Sequence, residues 1–260
     1  MEKITSKTND KIKYAVRLGE SASLRKETRE FFLEGARLCF DAAQTGIEIK
    51  QAFFTSKALW KYEDYVSLII EKSAACFEIS AEISQKLSGT ENSQGVFCIC
   101  SAKSQTETAD FDFSGKYIAL ENLQDPSNLG AICRSAEAIG LDGLIVSGGC
   151  DVYNPKALRA AMGSSLRMNV ISVEKLDEFV SFANEKGMLT LASVPRSTAE
   201  DIRTVSMNGG IICCVGNEGS GLSQQVIEKC KKQVVIPMNG RAESFNASAA
   251  AAILAWELKR

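Results

Sequence analysis

From residue 116 to the end of this 260-residue chain, short apolar runs alternate with amphipathic stretches of helical length. The pattern predicts strands at Tyr117–Leu120, Gly143–Val146, Asn169–Ser172, Met188–Ser193, Ile211–Val215 and Gln233–Pro237. Between them it predicts helices at Ser127–Ile139, Pro155–Met162, Val173–Glu185 and Ser223–Cys230, with a last helix from about Ser244. Strands separated by helices cannot pair as hairpins. They form a parallel α/β sheet with helices on both faces. Ligands in such sheets bind beyond the C-terminal ends of the strands. That rule directs attention to three loops, Leu123–Leu129, Gly216–Leu222 and Met238–Asn246.

The first hundred residues read as a smaller α/β unit. Asp10–Leu18 and Thr28–Thr45 have helical spacing, the second with Phe31, Phe32, Leu38, Cys39 and Ala42 as its apolar positions. Ile49–Thr55 and Gly95–Cys100 read as strands, and Lys57–Glu71 as a helix. The stretch Ser101–Ser114, SAKSQTETADFDFS, is polar and flanked by strand-like runs. It sets the expected division: a domain at 1–103, a linker at 104–115 and a second domain at 116–260.

Composition removes several chemistries. The chain has no histidine, which excludes Ser–His–Asp and Cys–His catalysis and every His metal ligand. Its nine cysteines form no C-x-x-C pair, so no metal site is expected. They read as small buried hydrophobes in a reducing cytosol. The start, Met1-Glu-Lys-Ile-Thr, lacks the apolar core of a signal peptide. No apolar run approaches the ~20 residues that span a membrane. The expected location is cytoplasmic. Thirty basic against thirty-two acidic residues exclude an all-over basic coat for nucleic acid, but not a local patch. The opening segment is such a patch, with Lys3, Lys7, Lys11, Lys13, Arg17, Arg25, Lys26 and Arg29. A solvated face and an RNA phosphate contact both account for it.

Each of the three loops has a plain reading and a chemical one. In Asp125-Pro-Ser-Asn128-Leu-Gly130-Ala-Ile-Cys-Arg134, Asp125 and Ser127 are good helix starters. Arg134 lies one turn beyond Gly130, whose missing side chain leaves room for an anion beside the guanidinium. The plain reading is an ion pair between Arg134 and Glu137 at i,i+3. The second loop, Gly216-Asn217-Glu218-Gly219-Ser220-Gly221-Leu222-Ser223, is neither G-x-G-x-x-G nor G-x-x-x-x-G-K-[ST], so nothing supports a nucleotide cofactor held by its phosphates. Glu218 there can orient a cation or accept a proton, or simply decorate a turn. The third loop runs from Ile236-Pro237-Met238 to Ser244-Phe245-Asn246-Ala247-Ser248 and opens an alanine-rich helix. Ser244 or Asn246 would cap it, which leaves a second polar residue to be explained.

Together these loops resemble the three motifs of the SpoU-type (TrmH-like) RNA 2′-O-ribose methyltransferases of the SPOUT superfamily, in order, spacing and residue type. The resemblance covers 116–260. A weaker one covers the first domain through Ile4-Thr-Ser, Arg25-Lys and Phe32-Leu-Glu34-Gly35-Ala-Arg37, similar to the family's ribosomal-protein-like RNA-binding domain. The family more often has Leu at the place of Phe245 and Val at that of Ala247. The resemblance implies a trefoil knot in the C-terminal domain and a homodimer formed through it. It also implies S-adenosyl-L-methionine as cofactor, held by Gly216, Ile236 and Phe245. Arg134, Asn128, Glu218, Asn246 and Ser244 would be catalytic. The substrate would be structured RNA, with 23S-type ribosomal RNA favoured over transfer RNA. A guanidinium is a poor base, so Arg134 is expected to grip an RNA phosphate and stabilise a developing alkoxide. Two rival readings are a dinucleotide-binding enzyme, which lacks its glycine fingerprint here, and a non-catalytic RNA-binding assembly protein.

Overall fold

The computed structural model describes residues 1–103, 111–196 and 198–260. Most of the expected linker, residues 104–110, lies outside the described residues. The chain divides into two compact units. One comprises Met1–Ser104 with Tyr153–Arg167, the other Gln105–Val152 with Met168–Arg260. The segment Tyr153–Arg167, expected within the second domain, groups with the first unit.

The first unit contains β1 (Glu2–Ile4), α1 (Asp10–Glu20), α2 (Ala22–Thr28), β2 (Glu30–Glu34), α3 (Ala36–Gln44), β3 (Ile49–Thr55), α4 (Ser56–Lys61), α5 (Glu63–Lys72), β4 (Cys76–Ile79), α6 (Ala81–Leu87) and β5 (Val96–Ser101). Its sheet has the order β1-β4-β3-β5-β2, parallel across β1, β4 and β3 and antiparallel across β3, β5 and β2. The sheet is covered on both faces. Phe31, Leu33 and Phe54 enter one core. Phe32, Phe53 and Phe97 enter the other. Each such side chain contributes about 1.5–3 kcal/mol when fully buried.

Two expectations are corrected here. Thr28–Thr45 is not one helix but a left-handed residue (Arg29, φ 55°), the strand β2, Gly35 at φ 109° and then α3. Phe31 and Phe32 are both buried, on opposite faces. That is the period of a strand; helical spacing begins only at Ala36. The second correction is Lys57–Glu71, which breaks at Tyr62 into α4 and α5. The strands β1 and β4 and the helices α2 and α6 are additions that the sequence pattern does not mark. The basic opening segment is largely spoken for: Lys3 pairs with Glu78 (3.1 Å), Lys7 with Glu82 (3.0 Å) and Lys13 with Asp10 (3.3 Å). Arg25 is buried and donates to the Leu18 and Gly19 carbonyls, satisfying the last turn of α1.

The second unit continues with β6 (Lys116–Glu121), α7 (Pro126–Ile139) and β7 (Gly143–Ser147). Then α8 (Pro155–Ala161) and α9 (Ser164–Arg167) fall in the first unit. The remainder is β8 (Val170–Val173), α10 (Leu176–Glu185), β9 (Leu189–Ser193), β10 (Glu200–Asp201), β11 (Ile211–Val215), α11 (Gln224–Lys229), β12 (Lys232–Val235) and α12 (Ala247–Leu258). All seven strands are parallel, in the order β10-β12-β9-β11-β6-β7-β8. The expected parallel α/β sheet is therefore present. Its central strand β11, Ile-Ile-Cys-Cys-Val, is buried throughout. The chain order reverses between β8 and β9, so the loops after β6, β9, β11 and β12 gather at one edge.

Candidate active site

The loop after β6 leads into α7 through a well-formed start. Asp125 is the N-cap and accepts from the Ser127 amide (2.9 Å), and Pro126 occupies the first turn, where a missing N–H costs little. The loop after β11 is tied to it. Asn217 donates its side-chain amide to the Asn122 carbonyl (2.8 Å), while its Oδ1 accepts from the Gly219 and Ser220 amides (2.8 and 3.1 Å). Gly216 is required for a reason internal to this loop. A Cβ there would lie 2.1 Å from Gly221 C and Leu222 N.

Glu218 joins the two loops. Its carboxylate accepts from the Gln124 amide (3.1 Å), the Asp125 amide (3.2 Å) and Asn128 Nδ2 (2.9 Å). Partial burial pushes its pKa up. The donors from Asn128, Gln124 and Asp125 outweigh that and hold it below the usual glutamate value. The third loop enters through Asn246, whose Nδ2 donates to Asn128 Oδ1 (3.1 Å). Asn246 is also the N-cap of α12, accepting from Ser248 N (2.9 Å) and Ala249 N (3.4 Å). The helix thus starts at Ala247 rather than Ser244, and Ser244 is not its cap. Because α12 packs against α7, Asn128 in the first turn of one helix meets the cap of the other. A continuous chain, Glu218–Asn128–Asn246, results.

A cavity of about 380 Å³ opens beside these loops in the second unit. Gly216, Glu218, Ile236, Ser244 and Phe245 all line it. Phe245 keeps 42% of its surface exposed. Asn128, Asn246 and Arg134 are not among the lining residues. Arg134 is exposed on α7 and makes no hydrogen bond or ion pair among the described residues, so the Arg134–Glu137 pair is not formed. It shares its helix with Asn128 but is not bonded to the other site residues.

The sequence reading missed two parts of this site. Ser193–Arg196, the segment after β9, lines the cavity. Glu121, buried at the end of β6, accepts from Ser223 N (2.7 Å) and Oγ (2.6 Å) and so anchors the start of α11 behind the Gly216 loop. An acidic residue closing an otherwise apolar strand was the available signal. Among the described residues no group of three or more His, Cys, Asp or Glu is placed to hold a metal ion.

Comparison with known proteins agrees with this geometry. Residues 115–256 match the SpoU rRNA methylase family, and residues 9–98 match the MRM3-like substrate binding domain. The chain is 30% identical over 260 residues to an uncharacterized tRNA/rRNA methyltransferase of Synechocystis sp., covering 99% of this chain and 93% of that protein. It is 28% identical to the 23S rRNA (guanosine(2553)-2′-O)-methyltransferase RlmP of Bacillus subtilis, covering 100% of both. The crystal structure of an AdoMet-bound rRNA methyltransferase from Sinorhizobium meliloti superposes with a TM-score of 0.88 at 26% identity, covering 99% of this chain and 97% of that one. With the family match spanning more than half its length and a relative at 30% identity along nearly all of it, the chain belongs to the SpoU rRNA methylase family.

Proposed function

We propose that the protein transfers a methyl group from S-adenosyl-L-methionine to a ribose 2′-hydroxyl of structured RNA, with large-subunit ribosomal RNA as substrate in preference to transfer RNA. The observation that carries this reading is Glu218, which lines the cavity and at the same time receives Asn128, itself bonded to Asn246. One carboxylate joins a cofactor-sized hollow to a chain of side-chain amides that can orient a hydroxyl. Full-length similarity to a 23S rRNA enzyme supports the ribosomal choice.

The cavity fits the cofactor in size and lining. Pockets for ligands of this class run from about 300 Å³ upward. The cavity has an exposed aromatic ring in Phe245, apolar Ile236 and the backbone of the Gly216 loop, with Arg196 on its wall. Gly216, Ile236 and Phe245 would hold the adenosine part. When bound, the cofactor supplies an electrophilic methyl group on a sulfonium. The protein's own residues do the rest. Asn128 and Asn246 orient the ribose, and Ser244 lines the cavity that holds the cofactor. Glu218 fixes Asn128. Arg134, free of partners among the described residues, grips the RNA phosphate and stabilises charge developing on the 2′ oxygen, and the phosphate or a water takes the proton. Alignment of this kind contributes on the order of 7–11 kcal/mol in favourable cases.

The finer architecture belongs to the same proposal: residues 1–103 bind RNA, 104–115 link, and 116–260 catalyse within a trefoil knot. A homodimer forms through the catalytic domain, where Trp256 on α12 stands 68% exposed. Free cysteines throughout suit a reducing, cytoplasmic setting. The test is methyl transfer from radiolabelled S-adenosylmethionine to total RNA lacking the modification, followed by digestion to nucleosides. The expected product is a 2′-O-methylnucleoside in ribosomal RNA. Label in transfer RNA alone would overturn the substrate, and absence of both label and cofactor binding would leave an RNA-binding assembly protein.

A further inference from the structure

The first unit holds a second cavity, of about 570 Å³, that the reaction does not use. Its apolar wall is Leu38, Leu158 and Met162, and its polar wall includes Arg37, Arg159 and Asn92. Two buried carboxylates, Glu34 and Asp41, also line it, with side chains 6% and 4% exposed. Glu34 accepts from Ser88, the Gly89 amide (2.9 Å) and Thr90 Oγ1 (2.9 Å), and Arg159 stands 3.7 Å away. Asp41 is shared by two guanidiniums, Arg37 Nε at 3.1 Å and Arg167 at 3.2 Å. Arg37 is held at Nε by Asp41, has Tyr65 as a further partner, and keeps 64% of its side chain exposed.

The backbone beside this cluster is held in an uncommon shape. Met162 adopts φ 52° and is 60% exposed. At Gly163, φ 87°, a Cβ would lie 2.3 Å from Asp41 Oδ2 and 2.6 Å from Arg167 Nη1. A bulky left-handed residue is strained, and strain that persists is a pointer to a role. Here it presents a thioether to the cavity.

We propose that this cavity receives an unpaired nucleotide of the substrate RNA, one that is not methylated. The base lies on Met162, Leu38 and Leu158, Asn92 and the rim carboxylate of Glu91 meet its edge, and Arg37 takes a phosphate. Single-stranded RNA is held by stacking of its bases on flat side chains, guanidiniums included, and by cations along its backbone. Here Arg37 and Arg159 are the guanidiniums, and Met162 and the two leucines stand where an aromatic ring would. The inference rests on the RNA-methylation reading and extends it to a second subsite.

The test uses the full-length protein and a short fluorescein-labelled single-stranded RNA of mixed sequence, titrated at several salt concentrations. Two variants are informative. Met162→Gly removes the apolar support at a position whose backbone suits glycine, so its melting temperature is expected to equal or exceed that of the parent. Arg37→Gln keeps a donor toward Asp41 and removes the charge. Each is expected to weaken RNA binding about five- to tenfold, and Arg37→Gln to reduce the slope of log affinity against log salt by about 0.7. Cofactor affinity is expected to stay unchanged in both. If the parent methylates RNA while both variants bind the probe with parental affinity and salt slope, the subsite is wrong and the methyltransferase reading stands. A variant that changes the sedimentation of the protein but not its RNA affinity would assign the cavity to a second copy of the chain and overturn the proposal. If the parent neither binds cofactor nor methylates RNA, the underlying reading fails, and this one with it.

Discussion

Asn246 has two jobs on two different atoms, and two substitutions separate them. Its Oδ1 caps α12, accepting from Ser248 N, Ala249 N and Ser248 Oγ. Its Nδ2 donates to Asn128, which donates in turn to Glu218. Asn246→Ala removes both. Loss of an N-cap costs about 1 kcal/mol, within a range of about 0.5–2. For a chain of this size that lowers the melting temperature by about 2–4 °C. Asn246→Asp keeps the cap, since aspartate is as good a capping residue and its charge suits a helix N-terminus. It destroys the other link, because a carboxylate oxygen then faces Asn128 Oδ1. If the Asn128 amide turned over to donate to the new carboxylate, it would withdraw its donor from Glu218. One hydrogen bond is lost either way, about 0.5–1.5 kcal/mol, and like polarity adds to the loss. Both of these hydrogen bonds of Asn128 are solvent-exposed, so in the fold water replaces the lost one and the cost falls on alignment of the ribose. The expected variant melts within about 1 °C of the parent yet transfers methyl groups about tenfold more slowly in single turnover. Thermal melting and a single-turnover assay at saturating cofactor read the two effects apart. An aspartate variant as fast as the parent, or one that melts as low as the alanine variant, would refute the division of labour.

Arg134→Lys is expected to leave the melting temperature unchanged, because Arg134 has no partner among the described residues to lose, and to abolish most methyl transfer, because lysine lacks the planar fork. Gly216→Ala places a Cβ against the Gly221 and Leu222 backbone, so the loop must open; overpacking of this kind costs about 1–3 kcal/mol, and calorimetry should show weakened cofactor binding. Glu218 supplies a pH signature. Its folded pKa is lowered by its three donors, so its contribution to loop order is present above the ordinary glutamate value and is lost as pH falls through the lowered one. Cofactor affinity should therefore hold from neutrality through the ordinary glutamate range and drop only below it; Glu218→Gln, which cannot titrate, should lack that acid limb. Burial pushes the thiols of Cys133 and Cys150 up to about 12 and about 11, so a thiol reagent at neutral pH should label them in the folded protein far more slowly than after denaturation.

The second half of the chain was legible because its signal is local. Most strands there are apolar runs bounded by polar residues, and several helices have a starter, Asp125 for α7, Asn154 for α8 and Ser223 for α11. β10, which is Glu200–Asp201, and α10, whose N-cap Lys175 makes no side-chain capping bond, lack these signals. The first half misled where two periods compete. Phe31 and Phe32 satisfy a helical spacing with Leu38 and Ala42, and only the two-sided sheet reveals that Phe31 faces one core and Phe32 the other.

The site followed the same division. Asn128, Glu218 and Asn246 could be named from the resemblance of their motifs to those of a known family, because each acts near its own motif. What could not be read is which strands are neighbours. β9 lies beside β11 although β10 separates them in sequence, and only that adjacency brings Ser193–Arg196 to the cavity. Glu121 shows the cost of the same blindness for positioning groups. It reaches Ser223 across 102 residues of chain, through the pairing of β6 with β11. Replacing it by an apolar residue of similar size would leave Ser223 N and the start of α11 without their acceptor. The Gly216 loop would then be loosened from behind, with no change in any residue that the motifs name. In a parallel sheet the motif residues are set by sequence. The groups that hold them in place are set by strand order, and those are found only once the order is known.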